Sequence, residues 1–325
     1  MSQWVITTFE GTPTAEATDP DLRALIDAVP GDSALDDDFQ LALHCIYDLS
    51  YRGFRGVDDR WEWNARILAL RGLLEERFQR DLREAVAESG LDRGAESVDE
   101  VLERGSGPSL SGHMIAAGTR REFVEFCIHR SAYQLKEADP HTLGLSRFSG
   151  PRKAAFVEIQ ADEYGNGEVG EAHADLFADV MSALGLDARY GVYVDALPAV
   201  TLATDNLVTL LGSHRSLRSA LLGHLAGFEM TSVTPMSRYA AAARRLDLGP
   251  RVERFYDVHV AADEHHGRLA ATQLVGGDPE GDGLSTSEIL FGAAVLMVLE
   301  ERLARHLLDS WALGRSSLRP VASSN

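Results

Sequence analysis

The stretch Tyr256–His266, YDVHVAADEHH, decides the reading of this chain. At about 100° per residue on a helix, Asp263 lies about 40° round from His259, and His266 lies about 20° from His259 on the other side. Three side chains able to bind a metal therefore share one face. Val252, Phe255 and Tyr256 continue that face towards the N-terminus, which marks it as the side turned to the core. Glu264 and His265 fall off the stripe, so the pattern selects His266 over His265. The bland alternative is a solvated polar face with stray histidines. It accounts poorly for an Asp set beneath apolar residues, because a buried carboxylate needs compensation and a metal ion supplies it.

Working outward, the same logic finds four more residues. Glu229 stands in ALLGHLAGFEMTSV with Leu222, Leu225, Ala226 and Val233 on its face. His173 shares a stripe with Val169, Leu176, Phe177 and Val180, although a lone histidine on an apolar stripe is more often a satisfied core residue. Glu163 ends a helix just before YGNG, where glycines let the chain turn sharply. Glu137 lies one turn below Tyr133 and two below Arg130. Taken singly, Glu229, Glu163 and Glu137 also read as carboxylates that reach water, and His173 as a core histidine. As a set they are four carboxylates and three imidazoles on five expected helices. Four negative charges balance two divalent ions such as Fe(II) or Mn(II), whereas zinc or copper favours fewer oxygen ligands. Helical bundles build dinuclear carboxylate sites in this way. The ferritin-type pair of Glu-x-x-His motifs is not the pattern here.

The rest of the chain reads as helix. Helical periodicity covers about 34–49 and 61–88, then 119–138, 149–163, 168–184, 198–213, 215–247, 250–275 and 284–312. Pro235 is expected to kink or split the 215–247 helix. A short strand is expected at Trp4–Thr7. Residues 89–112, with Gly90, Gly94, Gly105, Gly107 and Pro108 around a short acidic helix, form the best boundary. The expected organisation is an N-terminal helical extension, 1–112, packed on a metal-binding domain, 113–325.

Of 325 residues, 45% are hydrophobic, enough for a sizeable core, and the formal net charge is −19. So acidic a surface argues against nucleic acid and anionic membranes as partners. Ile289–Leu299 is too short to span a bilayer, and the N-terminal residues lack the pattern of a signal peptide. Cys45 and Cys127 form no metal or disulfide framework and read as small core residues in a reducing cytoplasm. The apolar final helix, FGAAVLMVLEERLARHLL, offers a face for a homodimer.

These residues resemble the heme-oxygenase-like diiron oxidases, also called iron-containing redox enzymes. The resemblance rests on KEADP around Glu137, KAAFVEIQADEYGNGEVGEAHADLF around Glu163 and His173, then Glu229 and the run His259, Asp263, His266, with spacings of 26, 10, 56, 30, 4 and 3. It covers roughly 119–275, and the spacings look most like the amine N-oxygenase branch. The resemblance implies an all-α fold, a heme-oxygenase-like seven-helix bundle with additional N-terminal helices here. It implies two Fe(II) ions held by all seven residues, O2 as cosubstrate and an external electron donor. It also implies oxidation of a small amine or amino acid, with N-hydroxylation favoured by the extra carboxylate Glu163. The ligand set alone suits manganese as well. No fused cupin domain is seen, which argues against a two-stage N-nitrosation. Alternatives within the same scaffold are oxidative C–C cleavage or decarboxylation of an amino or fatty acid, and metal-free chemistry like that of thiamin-degrading and quinone-cofactor enzymes. Arg130 and Arg238 are candidates for a substrate carboxylate. Tyr133, Tyr164 and Tyr256 are candidate hydrogen-bond donors around the centre, Tyr133 and Tyr256 towards substrate as well.

Overall fold

The computed structural model describes residues 1–13 and 22–320. Among them the regular structure is all helical. The chain opens with α1 (Ser2–Phe9), α2 (Leu22–Asp27), α3 (Asp37–Asp48) and α4 (Ala65–Ser89). Two short helices follow, α5 (Val98–Glu103) and α6 (Leu110–Ala116). Then come α7 (Arg120–Gln134), α8 (Asp139–Thr142), α9 (Gly150–Glu163), α10 (His173–Ala183), α11 (Ala199–Ser213), α12 (Arg218–Arg245), α13 (Pro250–Leu269) and α14 (Thr286–Ala312). No helix of the described residues is long and apolar enough to cross a membrane.

Local chemistry sets many of the helix starts. Asp36, Asn64, Ser97 and Ser285 each accept a hydrogen bond from a first-turn N–H, and Thr119 with Glu122 forms a reciprocal capping box on α7. The long α12 is the hub, packed against α13 on one flank and α14 on the other. Its crossing with α14 is backbone to backbone: a Cβ at Gly223 would land on the Ile289 carbonyl, and one at Gly292 on the Ala220 carbonyl. The N-terminal helices join this core, α3 packing on α11 and α4 on α14, so Phe39, Leu43 and Phe78 belong to one apolar cluster with Leu207, Leu221 and Phe291. A second cluster, rich in aromatics, gathers Phe123, Phe126, Phe177, Tyr239, Phe255 and Tyr256.

Three local expectations differ from the structure. Trp4–Thr7 is part of helix α1, not a strand. Val5 and Phe9, one turn apart, are both buried, and burial against α3 outweighs the strand preference of the β-branched residues. Of the kink or split expected at Pro235, the split does not occur: α12 continues through it as one helix. The packing of α13, α14 and α6 along α12 holds the helix despite the missing N–H. Finally, α13 does not run to residue 275 as α-helix. Its end widens into a π-turn over Ala270–Leu274, where the Arg152 guanidinium donates to the Leu274 carbonyl at 2.5 Å.

Candidate metal centre

The seven residues singled out above lie together, in two adjoining groups. Glu137, Glu163, His173 and His259 form one; Glu163, Glu229, Asp263 and His266 form the other. Within each group the facing atoms lie within 4.8 Å of one another, and every member is buried. Glu163 belongs to both.

Four elements and one turn bring them in. Helix α13 supplies His259, Asp263 and His266 from one face, all at most 3% exposed. His265, off that face, is exposed and pairs with Glu158 at 2.7 Å. Helix α12 supplies Glu229 one turn from the buried Leu225 and Ala226. Glu163 is the last residue of α9 and His173 the first of α10, so the glycine turn between them aims both inward. That turn explains two departures from expectation. Helix α10 begins at His173 rather than near 168, and Val169, expected on the buried stripe, is fully exposed. Glu137 was expected inside a helix reaching 138. Instead α7 ends at Gln134, and Glu137 lies in the turn before the Asp139–Pro140 start of α8. Ala138, which closes that turn, is buried at φ 75°, a left-handed conformation that costs a non-glycine residue about 1–2 kcal/mol. Backbone strain of this kind concentrates at functional sites.

The imidazoles are oriented from behind. His259 Nδ1 donates to the Phe255 carbonyl at 2.7 Å, which leaves Nε2 facing Glu137 at 3.7 Å. His266 Nε2 pairs with Asp162 at 3.0 Å, which turns Nδ1 towards Glu229 (3.4 Å), Asp263 (3.8 Å) and Glu163 (3.9 Å). The Gln134 carboxamide, turned with its NH2 inward, donates to the Glu137 oxygens at 2.6 and 2.9 Å. Asp162 and Gln134 were not anticipated. The only sequence signal was adjacency: Asp162 precedes Glu163, and Gln134 lies three residues before Glu137.

The inward atoms are not satisfied by one another. His173 Nδ1, His259 Nε2, Asp263 Oδ2 and His266 Nδ1 are buried without a hydrogen-bond partner. His173 Nδ1 lies 2.7 Å from Glu163 Oε2 yet off hydrogen-bonding geometry. Buried polar atoms left open at this density are costly unless something occupies the space between them. The donor set, imidazole nitrogen plus carboxylate oxygen, fits iron or manganese. Protonation tells the same story. Burial raises the carboxyl of Glu163 to about 7, helped by the neighbouring Asp263, and burial likewise raises Glu137, Glu229 and Asp263. Burial opposes charge on His259 and His266 as well, but Glu137 and Glu229 outweigh it and hold the two rings near 10 and 9. Burial, with His259 beside it, lowers His173 to about 4.

Residues 124–301, more than half of the chain, match the family described as iron-containing redox enzyme. The chain belongs to that family. All seven residues of the centre lie inside the matched span. A nitrosourea synthase from Streptomyces achromogenes subsp. streptozoticus is 28% identical over 214 residues, which is 65% of this chain and 45% of that enzyme. The chain thus aligns with less than half the length of this relative.

The candidate substrate residues fall out differently. Tyr133 borders the small cavity beside Glu137, its hydroxyl 3.3 Å from His141 Nδ1. Tyr256 is buried, and its hydroxyl finds no oxygen or nitrogen partner. Arg130 is not free for a substrate carboxylate, because both of its Nη atoms donate to Glu300, at 2.8 and 2.6 Å. Arg238 is engaged with Ser109 Oγ at the surface. Tyr164 bonds Asp139 and Thr142, at 2.9 and 3.0 Å.

Proposed function

We propose that this protein is a non-heme diiron oxygenase that hydroxylates the nitrogen of a small amine. The observation that carries the reading is the pair of four-residue groups sharing Glu163, with four inward atoms left open. Glu137, His173 and His259 would hold one ion, Glu229, Asp263 and His266 the other, and Glu163 both. When bound, the iron pair supplies the electrons that open O2 to reaction. Kinship to a nitrosourea synthase supports nitrogen as the atom oxidised. The balanced reaction converts R–NH2, O2, two electrons and two protons into R–NHOH and water, with the electrons coming from an external donor.

A hydrogen-bonded string of the chain's own residues borders the small cavity and could relay a proton within it. Tyr133 meets His141 Nδ1 at 3.3 Å, and His141 Nε2 meets His224 Nδ1 at 3.2 Å. Burial, with the Glu137 carboxylate beside it, keeps the Tyr133 hydroxyl protonated. Burial keeps His141 neutral and holds His224 at about 4. A neutral string of this kind carries a proton by handing it along rather than by storing charge.

The test is anaerobic Fe(II) loading, counted per chain, followed by O2 and mass spectrometry of a panel of amines. The expected result is about two irons per chain, a transient visible absorption on adding O2, and products heavier by one oxygen. Glu163→Gln should lose most of both irons, whereas Glu137→Gln and Asp263→Asn should each keep about one. One iron or none in the unaltered protein would sink the reading.

A further inference from the structure

A cavity of about 290 Å³ adjoins the metal groups. Phe228, Ser232 and Met236, on one face of α12, border both this cavity and the small one walled by Glu137, Glu163, Glu229, His259 and Asp263. Its rim is the segment 105–111, which lies directly on α14: a Cβ at Gly107 would meet the Glu301 side chain at 2.6 Å. The volume sits at the lower end of small-molecule pockets, about 300 Å³, and suits a compact ligand.

The walls are aromatic and aliphatic, with Phe126, Phe177, Tyr239, Phe255 and Leu296 among them. Arg130 is the one cation among the described residues that line it, and Glu300 already holds it in a two-pronged pair. A ligand carboxylate that took Arg130 would leave Glu300 partly buried and unpaired, which is unfavourable. Tyr256 contributes to the wall, but its hydroxyl is buried behind it, without an oxygen or nitrogen partner and with the Cys127 thiol beside it.

We infer that the substrate is an amine with an aromatic or alkyl body and no free carboxylate. Its body lies among the aromatic walls, and its nitrogen at the boundary formed by Phe228, Ser232 and Met236. The assignment rests on the oxygenase reading above for what happens to the nitrogen, but the binding itself does not need iron.

Calorimetric titration of the full chain, metal-free and Fe(II)-loaded under anaerobic conditions, tests it with 2-phenylethylamine, 3-phenylpropionate and L-phenylalanine. The amine should bind at least about tenfold more tightly than either carboxylate. Glu300→Gln should free Arg130 and tighten 3-phenylpropionate binding by about tenfold or more. Met297 lines the cavity beside Gly105 of the rim segment, so Met297→Trp should fill that side, abolish amine binding and leave the iron count unchanged; it serves also if the Glu300 variant fails to fold. L-phenylalanine or 3-phenylpropionate binding as tightly as the amine, a folded Glu300 variant with no gain for the carboxylate, or amine binding surviving Met297→Trp would each overturn the inference. A low iron count with the amine preference intact would instead strike only the oxygenase reading.

Discussion

Asp162 offers the sharpest test of how the centre is built. It touches no open inward atom of the two groups, yet it accepts from His266 Nε2 at 3.0 Å and from Asn166 at 2.5 Å. It thereby fixes the ring so that Nδ1 points inward. Burial alone would raise its carboxyl, but the bonds from Asn166 and His266 outweigh that and keep it ionised. Removing such a supporting partner costs about 10–100-fold in metal affinity. With Fe(II) at about 100 times the dissociation constant, the unaltered protein gains about 2.7 kcal/mol from metal. A tenfold loss reduces that gain to about 1.4 kcal/mol and a hundredfold loss to about 0.4 kcal/mol. Asp162→Asn keeps an acceptor for Nε2 and should fall at the mild end; Asp162→Ala should fall at the severe end. Asp162→Ala also leaves the buried His266 Nε2 without its acceptor, so metal-free stability should fall by about 1–3 kcal/mol, and the metal contribution is the difference between unfolding with and without Fe(II). Glu158→Gln, which removes the partner of the exposed His265, is the matched control. The assay is chelator competition together with thermal unfolding, with and without Fe(II), under nitrogen. Unchanged Fe(II) affinity in Asp162→Ala, or an equal loss in Glu158→Gln, would refute the reasoning.

Other perturbations follow from the packing. Lys136, 1% exposed, donates to Asp205 at 2.9 Å and lies 3.7 Å from Asp48; Lys136→Met should cost about 3–5 kcal/mol in chemical denaturation, and a loss under about 1 kcal/mol would show that the network is not closed by this lysine. Burial opposes charge on His44, but Asp48 and Asp205 outweigh it and raise the ring to about 9. Its stabilising contribution is therefore complete below its unfolded value near 6.5 and is lost as pH rises through about 9; the denaturation midpoint should fall over that range, and fall less in His44→Gln, whereas parallel profiles for the two proteins would contradict the assignment. Gly223→Ala and Gly292→Ala should each destabilise by about 1–3 kcal/mol or more through the α12–α14 crossing, read as a lowered unfolding midpoint, and a neutral result at both would mean that the helices part easily.

Helical phase makes much of the centre legible in the sequence. The 40° and 20° offsets along α13 separate His266, fully buried, from His265, exposed beside it. Phase works there because α13 is a long regular helix whose apolar residues mark the inner side. It misplaced the settings of Glu137 and His173 because both sit at chain reversals, where 100° per residue has no meaning. Arg130 reads as a free cation from sequence because its partner, Glu300, lies 170 residues away on α14. The same distance problem hides Asp162: nothing local says that its carboxylate faces a ring 104 residues further on. The strand expected at Trp4–Thr7 failed for a related reason, since only the docking of Val5 and Phe9 onto α3 selects helix.

Two buried polar clusters lie side by side in this fold, and the contrast between them separates structure from site. Lys136 and Glu137 are consecutive residues that serve different clusters. Lys136 joins Asp48, Asp205 and His44, with Tyr190 bonded to Asp48 and the Tyr51 ring beneath the ammonium at 4.5 Å. Two cations there face two anions, so the charge cancels within the protein, and this balance distinguishes the cluster even though His44 Nδ1 and Asp205 Oδ1 also lack a well-formed hydrogen bond. Glu137 joins a cluster of four carboxylates and three imidazoles whose inward nitrogens find no partner. Even with His259 and His266 both protonated, four ionised carboxylates leave an excess of two negative charges, and metal-free protein relieves it only by raising the carboxyl pKa values, as Glu163 at about 7 shows. A pair of divalent cations would remove the excess and free the two rings of their protons at once, so metal uptake should release protons, and more of them near neutral pH than an open site of ordinary histidines would. The strained Ala138 stands next in the chain, holding the turn that commits Glu137 to the acidic cluster rather than the charge-balanced one.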